Sequence, residues 1–315
     1  MLKQLKLGCV ILVCCLPFLF WGISINNAKI HNLSKGNYFF DTLRNHPNIS
    51  SIILGFNNNS SKITINRKDD LWHIKEADDY FVSFSKINTL VSLIRNTIIF
   101  RADKIIDNKI PFSKENAITI TALDNFGKVV EQATIAKKTD KNKYHYALLN
   151  NDGFLYQVNG NFDITPNVID WLQMPILKIA QDEYKIIKSN KFHVFKSYKG
   201  DDFKDVKTGS VSPYIINFTN NLWYLSAIDI KHSVNFNTNE YKKINSYEIS
   251  LFNGIIYYIS IYNKNNEYWL SIRLNKGKLL SKDGITQIEE NDALYKGWYF
   301  RISPEKGEII SNFSI

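Results

Sequence analysis

Residues 153–158 have the sequence GFLYQV, and residues 297–302 have the sequence GWYFRI. In both strings a glycine precedes a run of aromatic and aliphatic residues, which is typical of a β-strand entered from a tight turn. The strings stand at corresponding places in an order of elements that occurs twice along the chain. This recurrence predicts a duplication that gives two similar lobes, and chance similarity between strands of a β-rich chain is the alternative.

Helices recur in the same order as the strands. Three apolar residues follow the helical period in each of two segments, at a constant offset of 128 positions: Ile87, Leu90 and Ile94, then Ile215, Phe218 and Leu222. Ser85 is the predicted N-cap of the first helix, and Ser212-Pro213 opens the second. A further helix is predicted to begin at Thr165-Pro166 and to run through Trp171 to Pro175.

The predicted fold is α+β, with an N-terminal transmembrane helix and two similar lobes of mainly antiparallel strands, each with a packed helix. The predicted domains are residues 1–28 (cytoplasmic tip and anchor), 29–180 (first lobe) and 181–315 (second lobe). Four pairs of residues are predicted to be equivalent between the lobes: Gly127 with Gly254, Tyr144 with Tyr268, Asp103 with Asp229, and His73 with His193. The two aspartates are expected to have a structural role, either by pairing with Arg101 or by accepting backbone N–H bonds where the chain turns into a strand.

Composition excludes several classes of protein. The chain has 315 residues, 44% of them hydrophobic, which rules out wholesale disorder and a polytopic membrane protein. Cys9, Cys14 and Cys15 all lie within the first fifteen residues, so the rest of the chain has no disulfide scaffold, zinc finger or cysteine nucleophile. The net charge of +9 is dispersed. A solvated surface is the favoured interpretation, attraction to anionic lipid headgroups is the alternative, and no nucleic-acid partner is expected.

The N-terminus predicts a membrane anchor. Lys3 and Lys6 precede an uncharged run of 21 residues, 8–28, which is long enough to cross a bilayer. The residues that define the anchor are Gly8, Val10, Leu12, Phe18, Trp21 and Ala28. Positive charge before the span predicts a single-pass protein with the N-terminus inside and the bulk outside the cytoplasm. A signal peptide cleaved near Gly22 and Ser24 is one alternative, and a buried core helix is another.

The sequence contains no recognisable catalytic, cofactor-binding or metal-binding motif, so no residue is predicted to have such a role. No two of the six histidines are three to five residues apart, which excludes a metal site formed by two histidines on one face of a helix. His73 and His193 are expected to be strand residues without a functional role. The acidic residues 289–292 are expected to form a solvated loop rather than a calcium site.

Aromatic residues raise the possibility of carbohydrate binding, because aromatic faces stack on sugars. The residues concerned are Trp171, Trp223, Trp269, Trp298, Tyr146, Tyr156, Tyr257 and Tyr258. Core or inter-lobe packing is favoured instead, since neighbours such as Tyr257 and Tyr258 in a pleated strand point to opposite faces of the sheet.

Several strings also resemble a known family. They are residues 39–41, 49–53, 63–65 and 72–74 near its start, residues 118–120, 125–130, 171–172 and 183–186 in its centre, and residues 246–249, 254–256 and 297–302 at its end. Together they resemble the uncharacterised family called domain of unknown function 4340, in its membrane-anchored proteobacterial form. Ala136 departs from the glycine that is usual there. The resemblance implies a protein of the bacterial inner membrane with its bulk in the periplasm, in an accessory role beside ABC-type transporters, and it brings no catalytic residues.

These observations lead to an expectation about function. The chain is expected to be a membrane-anchored extracytoplasmic protein, a non-enzymatic accessory or scaffold of an ABC-type transport or cell-envelope system, with no cofactor. The alternatives are a periplasmic glycan- or lipid-binding module and an enzyme with an unrecognised site. ABC-type transporter subunits are the expected partners.

Overall fold

The computed structural model describes residues 36–46, 48–105, 112–136 and 144–314. The chain divides into two compact units: unit 1 is Met1–Arg67 with Asn88–Pro166, and unit 2 is Lys68–Ile87 with Asn167–Ile315. Both units are built mainly from antiparallel strands with a few helices, which confirms the predicted α+β class. The predicted anchor, residues 8–28, lies outside the described residues. Among those that are described, no helix is long and apolar enough to cross a membrane.

The secondary-structure elements are as follows. The strands are β1 (Ile49–Phe56), β2 (Ser61–Lys68), β3 (Leu71–Ile74), β4 (Tyr80–Phe81), β5 (Ile99–Lys104), β6 (Ala117–Asp124), β7 (Val129–Ala136), β8 (His145–Leu149), β9 (Phe154–Val158), β10 (Tyr184–Lys188), β11 (His193–Phe195), β12 (Lys204–Asp205), β13 (Asp229–His232), β14 (Lys242–Leu251), β15 (Ile255–Lys264), β16 (Glu267–Lys276) and β17 (Trp298–Ile302). The α-helices are α1 (Asp41–Asn45), α2 (Phe84–Asn96), α3 (Ile215–Leu222), α4 (Lys282–Tyr295) and α5 (Pro304–Asn312).

Strand order is the same in the two units. In unit 1 the strands lie side by side in the order β2-β1-β6-β7-β8-β9-β5, and in unit 2 in the order β11-β10-β14-β15-β16-β17-β13, with β12 beside β11. Unit 2 also contains the β3–β4 hairpin. Irregularities recur as well, because the register shifts between Ile49 and Ser51 of β1 and between Tyr184 and Ile186 of β10. Gly127, in the turn after β6, and Gly254, in the turn after β14, both adopt positive φ.

Strand register corrects three of the predicted equivalences. Gln157 of β9 faces Arg101, and Arg301 of β17 faces Asp229, so Asp229 corresponds in register to Arg101 rather than to Asp103. Tyr268 faces Ile302 as His145 faces Val158, which makes His145, not Tyr144, the counterpart of Tyr268.

The histidine pairing is also wrong. His193 lies in β11, which pairs with β10 as β2 pairs with β1, whereas His73 lies in β3. The two residues therefore lie on strands that do not correspond. Each of these three errors has the same physical cause: strand pairing, which sequence spacing alone does not specify, decides equivalence.

Two of the predicted helices are confirmed, although their caps differ from expectation. Ile87, Leu90 and Ile94 are buried on α2, and Ile215, Phe218 and Leu222 are buried on α3. Helix α2 begins at Phe84, so Ser85 lies in its first turn. The Ser212 hydroxyl is buried without a hydrogen-bond partner among the described residues, so it does not cap α3.

The helix predicted from Thr165 to Pro175 is wrong. Only a short 3-10 helix forms there, Val168–Trp171, capped by the side chain of Asn167. The reason is tertiary: the Ser83 amide donates to the Trp171 carbonyl at 2.7 Å, and the Gln173 amide donates to the Phe81 carbonyl at 3.0 Å. These bonds draw the segment into an extended path beside β4, which overrides the local helical signal.

Helices α4 and α5 are not among the predicted elements. The acidic residues 289–292, expected to form a loop, lie inside α4. The Ser281 hydroxyl caps α4 by accepting from the Gly284 amide at 3.0 Å, and Ser303 caps α5 with Pro304 in its first turn. Helix α4 covers part of the sheet of unit 2, and one of its faces forms a wall of the candidate site.

Candidate functional site

Unit 2 contains a partly enclosed pocket of about 320 Å³. We call it the tyrosine pocket, and its uncharged polar lining is formed by Tyr80, Gln173, Tyr257, Gln287, Asn291 and Tyr295. Apolar parts of Met174, Pro175, Ile176 and Leu294, together with the charged residue Lys178, complete the wall. Pockets of this size, with aromatic walls and a few polar groups, are typical of small-molecule sites.

Helix α4 supplies three of the polar residues. Gln287, Asn291 and Tyr295 are spaced four residues apart, so they share one face of the helix. The Asn291 side chain donates to the Gln287 carbonyl at 2.7 Å, and Asn253 donates to the Gln287 side-chain oxygen at 3.1 Å. These bonds fix both amide side chains. Within the described part of the chain, the Gln287 amide nitrogen and the Asn291 amide oxygen have no partner of their own.

The sheet supplies Tyr257. Its side chain is 3% exposed and faces α4, while Tyr258 projects from the opposite face of β15. The predicted alternation of these two residues is therefore confirmed. The Tyr257 ring lies 6.3 Å from the Tyr295 ring, in an edge-to-face arrangement.

The β3–β4 hairpin supplies Tyr80. The Tyr80 hydroxyl donates to the Leu294 carbonyl at 3.3 Å, and its ring meets the Trp298 ring edge-to-face at 5.0 Å. Because three separate elements converge, each held by its own contacts, the pocket is preformed rather than assembled by a flexible loop.

Burial keeps the phenols of the tyrosine pocket neutral. Desolvation raises the pKa of Tyr257 to about 12 and moves the pKa of Tyr80 well above its usual value. The pKa of Tyr295 is raised by desolvation, and further by the neighbouring Tyr257 and Tyr80. Lys178, which is exposed, is the charged residue of the lining. Neutral phenols and amides both donate and accept hydrogen bonds, so the pocket suits a neutral polar ligand.

Most of the aromatic residues considered for carbohydrate binding pack in the interior. Trp171, Trp269, Trp298 and Tyr156 are buried, while Trp223 is 51% exposed. Tyr257 is the one that lines the tyrosine pocket. Core packing is therefore the correct interpretation for the buried tryptophans.

Asp103 and Asp229 each make one of the two contacts predicted for them. The Asp229 carboxylate accepts from the Ile230 amide at 2.9 Å and lies 3.5 Å from the Arg301 guanidinium. Asp103 instead accepts from the Arg101 side chain, with its carboxylate 2.8 Å from Nε, at an exposed position. Both contacts expected of a structural role, an ion pair with Arg101 and a backbone hydrogen bond at the start of a strand, are therefore present.

Histidines and acidic residues form no further site in the described part of the chain. His73 Nδ1 lies 2.8 Å from the Asp79 carbonyl oxygen, and its ring contacts Phe81. Among the described residues, no group of three or more histidine, cysteine, aspartate or glutamate side chains is placed to hold a metal ion.

Sequence reasoning missed five of the six uncharged polar residues that line the pocket. A signal was present for three of them, because Gln287, Asn291 and Tyr295 follow the helical period behind the cap residue Ser281. No local signal links Tyr80 or Gln173 to them.

Comparison of the chain with protein-family models, with curated proteins and with solved structures gives no match. The resemblance to domain of unknown function 4340 therefore stays a prediction. The class that fold and site define is a mainly antiparallel α+β protein with a preformed aromatic pocket, whose one charged lining residue among those described, Lys178, is exposed to solvent.

Proposed function

We propose that the chain is a non-enzymatic binding protein that holds a small neutral saccharide in the tyrosine pocket. The observation that carries this proposal is the convergence of three buried phenols with the side chains of Gln173, Gln287 and Asn291. A sugar ring has apolar C–H faces that pack against aromatic rings and hydroxyl groups that bond to amides. The tyrosine rings and the side-chain amides of the pocket would therefore both contact a bound saccharide.

Charge favours a neutral ligand over an ionic one. A carboxylate or phosphate placed among the phenols would lose its hydration without a buried counter-charge, and this desolvation is costly. Lys178 is exposed to solvent and gives little compensation. The volume of about 320 Å³ accommodates a ligand of one or two sugar rings.

The test measures binding of N-acetylglucosamine, its β1,4-linked disaccharide and glucuronate to the full-length chain by isothermal titration calorimetry. The variants are Gln287→Leu and Asn291→Leu, and Glu289→Gln, an exposed residue of the same helix, is the matched control. Each lost neutral hydrogen bond is expected to weaken binding about fivefold, since such a bond contributes about 1 kcal/mol. Equal binding by all variants, or preference for glucuronate, contradicts the proposal.

The extracytoplasmic accessory role is a second proposal. It is supported by the uncharged run at residues 8–28 behind Lys3 and Lys6 and by the family resemblance. The chain would be tethered to the inner membrane and would present its ligand to subunits of an ABC-type transporter. A reporter fused after Ile315 that works only in the periplasm is expected to be active, and crosslinking should recover transporter subunits. A soluble mature form that starts near Ile25 would contradict the tether.

Duplication of an ancestral lobe is the third proposal. The shared order of seven strands, the register shift in β1 and β10 and the glycine turns after β6 and β14 support it. The tyrosine pocket uses α4, and the corresponding segment of unit 1, between β8 and β9, is the short turn at residues 150–153. Ligand binding would therefore have been acquired by the second lobe alone.

A further inference from the structure

The outward face of the unit 2 sheet carries a second pocket, which differs chemically from the tyrosine pocket. It measures about 380 Å³ and lies on the side of the sheet where Tyr258 points. Lys188, Lys243 and Arg273 line it, and we call it the cationic groove. All three side chains are exposed, and none forms an ion pair or hydrogen bond with another described residue.

Strand register explains how these charges come together. Lys188 faces Glu248, Glu248 faces Tyr258, and Tyr258 faces Arg273 across four neighbouring strands. Residues that face one another in antiparallel strands share one side of the sheet. Lys188 and Arg273 therefore stand at the two ends of one row, roughly 14 Å apart at the backbone. Their long side chains are able to reach toward the middle of the row.

A second row supplies hydroxyl groups. Ser246 faces Ser260 two positions along the same strands, and both residues line the cationic groove. Lys243 lies beyond them, past the irregularity in β14. Hydroxyl donors flanked by unpaired cations are the groups that bind phosphate oxygens, because charge-assisted hydrogen bonds to phosphate are stronger than neutral ones.

Glu248 is the negative charge of the groove. It lies between Lys188 and Tyr258, and no ion pair neutralises it within the described chain. The groove still has two more positive than negative side chains. Glu248 therefore repels an anionic ligand without cancelling the attraction of the three cations. Removing its charge should tighten binding of the anion, whereas removing a residue with a purely structural role should weaken it.

We propose that the cationic groove binds the phosphate group of a phosphate ester. Lys188, Lys243 and Arg273 supply the positive charge, and the Ser246 and Ser260 hydroxyls donate hydrogen bonds to the phosphate oxygens. The site is separate from the tyrosine pocket, which lies on the inward face of the same sheet, and the proposal does not depend on saccharide binding.

Calorimetry with the full-length chain and glycerol 3-phosphate provides the test. Arg273→Gln is expected to weaken binding about tenfold, as loss of a charge-assisted hydrogen bond does. Glu248→Gln is expected to tighten binding about threefold, because it removes a nearby like charge in a largely aqueous setting. Lys276→Gln is the matched control, since Lys276 is an exposed cation at the end of the same strand as Arg273 and outside the groove.

Vesicles provide the second arm and identify the source of the phosphate. The readout is the excess retention on phosphatidylglycerol over neutral phosphatidylcholine vesicles, because the uncharged run at residues 8–28 would bind to both. If Arg273→Gln removes this excess but Lys276→Gln does not, the ligand is a lipid headgroup. If only glycerol 3-phosphate binds in a groove-dependent way, the ligand is a soluble ester. The proposal is overturned if neither probe distinguishes Arg273→Gln from Lys276→Gln, or if Glu248→Gln weakens binding.

Discussion

Replacing Tyr184 with phenylalanine is expected to stabilise the protein. Tyr184 lies in β10, its side chain is 0% exposed, and its hydroxyl is buried without a hydrogen-bond partner among the described residues. Burial raises the pKa of Tyr184, and the neighbouring Tyr257 raises it further, so the hydroxyl is a neutral group held away from water. Phenylalanine keeps the ring and removes this group.

The magnitude follows from the cost of an unsatisfied polar group, which is about 1–3 kcal/mol. The small void left by the oxygen offsets part of the gain, so the free energy of unfolding should rise by about 1 kcal/mol. Tyr247→Phe is the matched control, because Tyr247 is equally buried but its hydroxyl donates to the Ile310 carbonyl and accepts from Asn245 at 2.9 Å. That variant should lose about 1–3 kcal/mol.

Urea unfolding of the full-length chain, followed by tryptophan fluorescence, measures both variants. The midpoint of the transition should move to higher urea for Tyr184→Phe and to lower urea for Tyr247→Phe, with the slope unchanged. If Tyr184→Phe destabilises the chain as much as Tyr247→Phe does, the Tyr184 hydroxyl has a partner such as a bound water, and the reasoning is refuted.

Three further predictions concern packing and pH. Gly307→Ala should destabilise the chain by about 1–3 kcal/mol in chemical denaturation, because a Cβ there would meet the Tyr268 ring, and a loss below about 0.5 kcal/mol would contradict this packing of α5. Phe218→Ala should lower the free energy of unfolding by about 3–5 kcal/mol, because the Phe218 ring is fully buried and lies 4.7 Å from the Tyr247 ring. Phe126→Ala, the control at a side chain that is 95% exposed, should change it by less than about 0.5 kcal/mol. The pKa values of Tyr80, Tyr257 and Tyr295 are raised by burial, so the folded state keeps protons that the unfolded chain releases above about pH 10. Stability should therefore be insensitive to these groups below pH 10 and fall as pH rises above it, and a flat profile from pH 9 to 11 would contradict their burial.

The sequence predicts strand and helix periodicity well where one face is strongly apolar. Tyr257 and Tyr258 fall on opposite faces as the pleat requires, and Ile215, Phe218 and Leu222 form the buried face of α3. These features depend on local spacing alone, and local spacing is visible in one chain.

Helix α4 shows where such reasoning fails. It has no continuous apolar stripe, because Gln287, Asn291 and many exposed polar residues fill its turns and few of its side chains are buried. A polar segment of this kind has the composition of a loop. The N-cap residue Ser281 is the local signal that distinguishes a helix from a loop in this segment. A signal carried by one residue is easily missed in a single sequence.

The other features that the sequence did not predict depend on contacts between residues far apart in the chain. Tyr80 joins the tyrosine pocket although 177 positions separate it from Tyr257, and nothing in the local sequence of either residue specifies that approach. The segment after Thr165 has a helical start signal, yet hydrogen bonds to Phe81 and Ser83 hold it extended. Strand register and tertiary hydrogen bonds therefore determine both the position of Tyr80 and the extended conformation after Thr165.

The central claim is that a neutral saccharide occupies the tyrosine pocket, and side-chain amide NMR of the full-length chain tests it most directly. Titration with the β1,4-linked disaccharide of N-acetylglucosamine should shift the side-chain amide signals of Gln287 and Asn291. The signal of Asn275, which is exposed on β16 and outside the pocket, should stay in place. If the disaccharide shifts neither Gln287 nor Asn291 at millimolar concentration, the claim is contradicted.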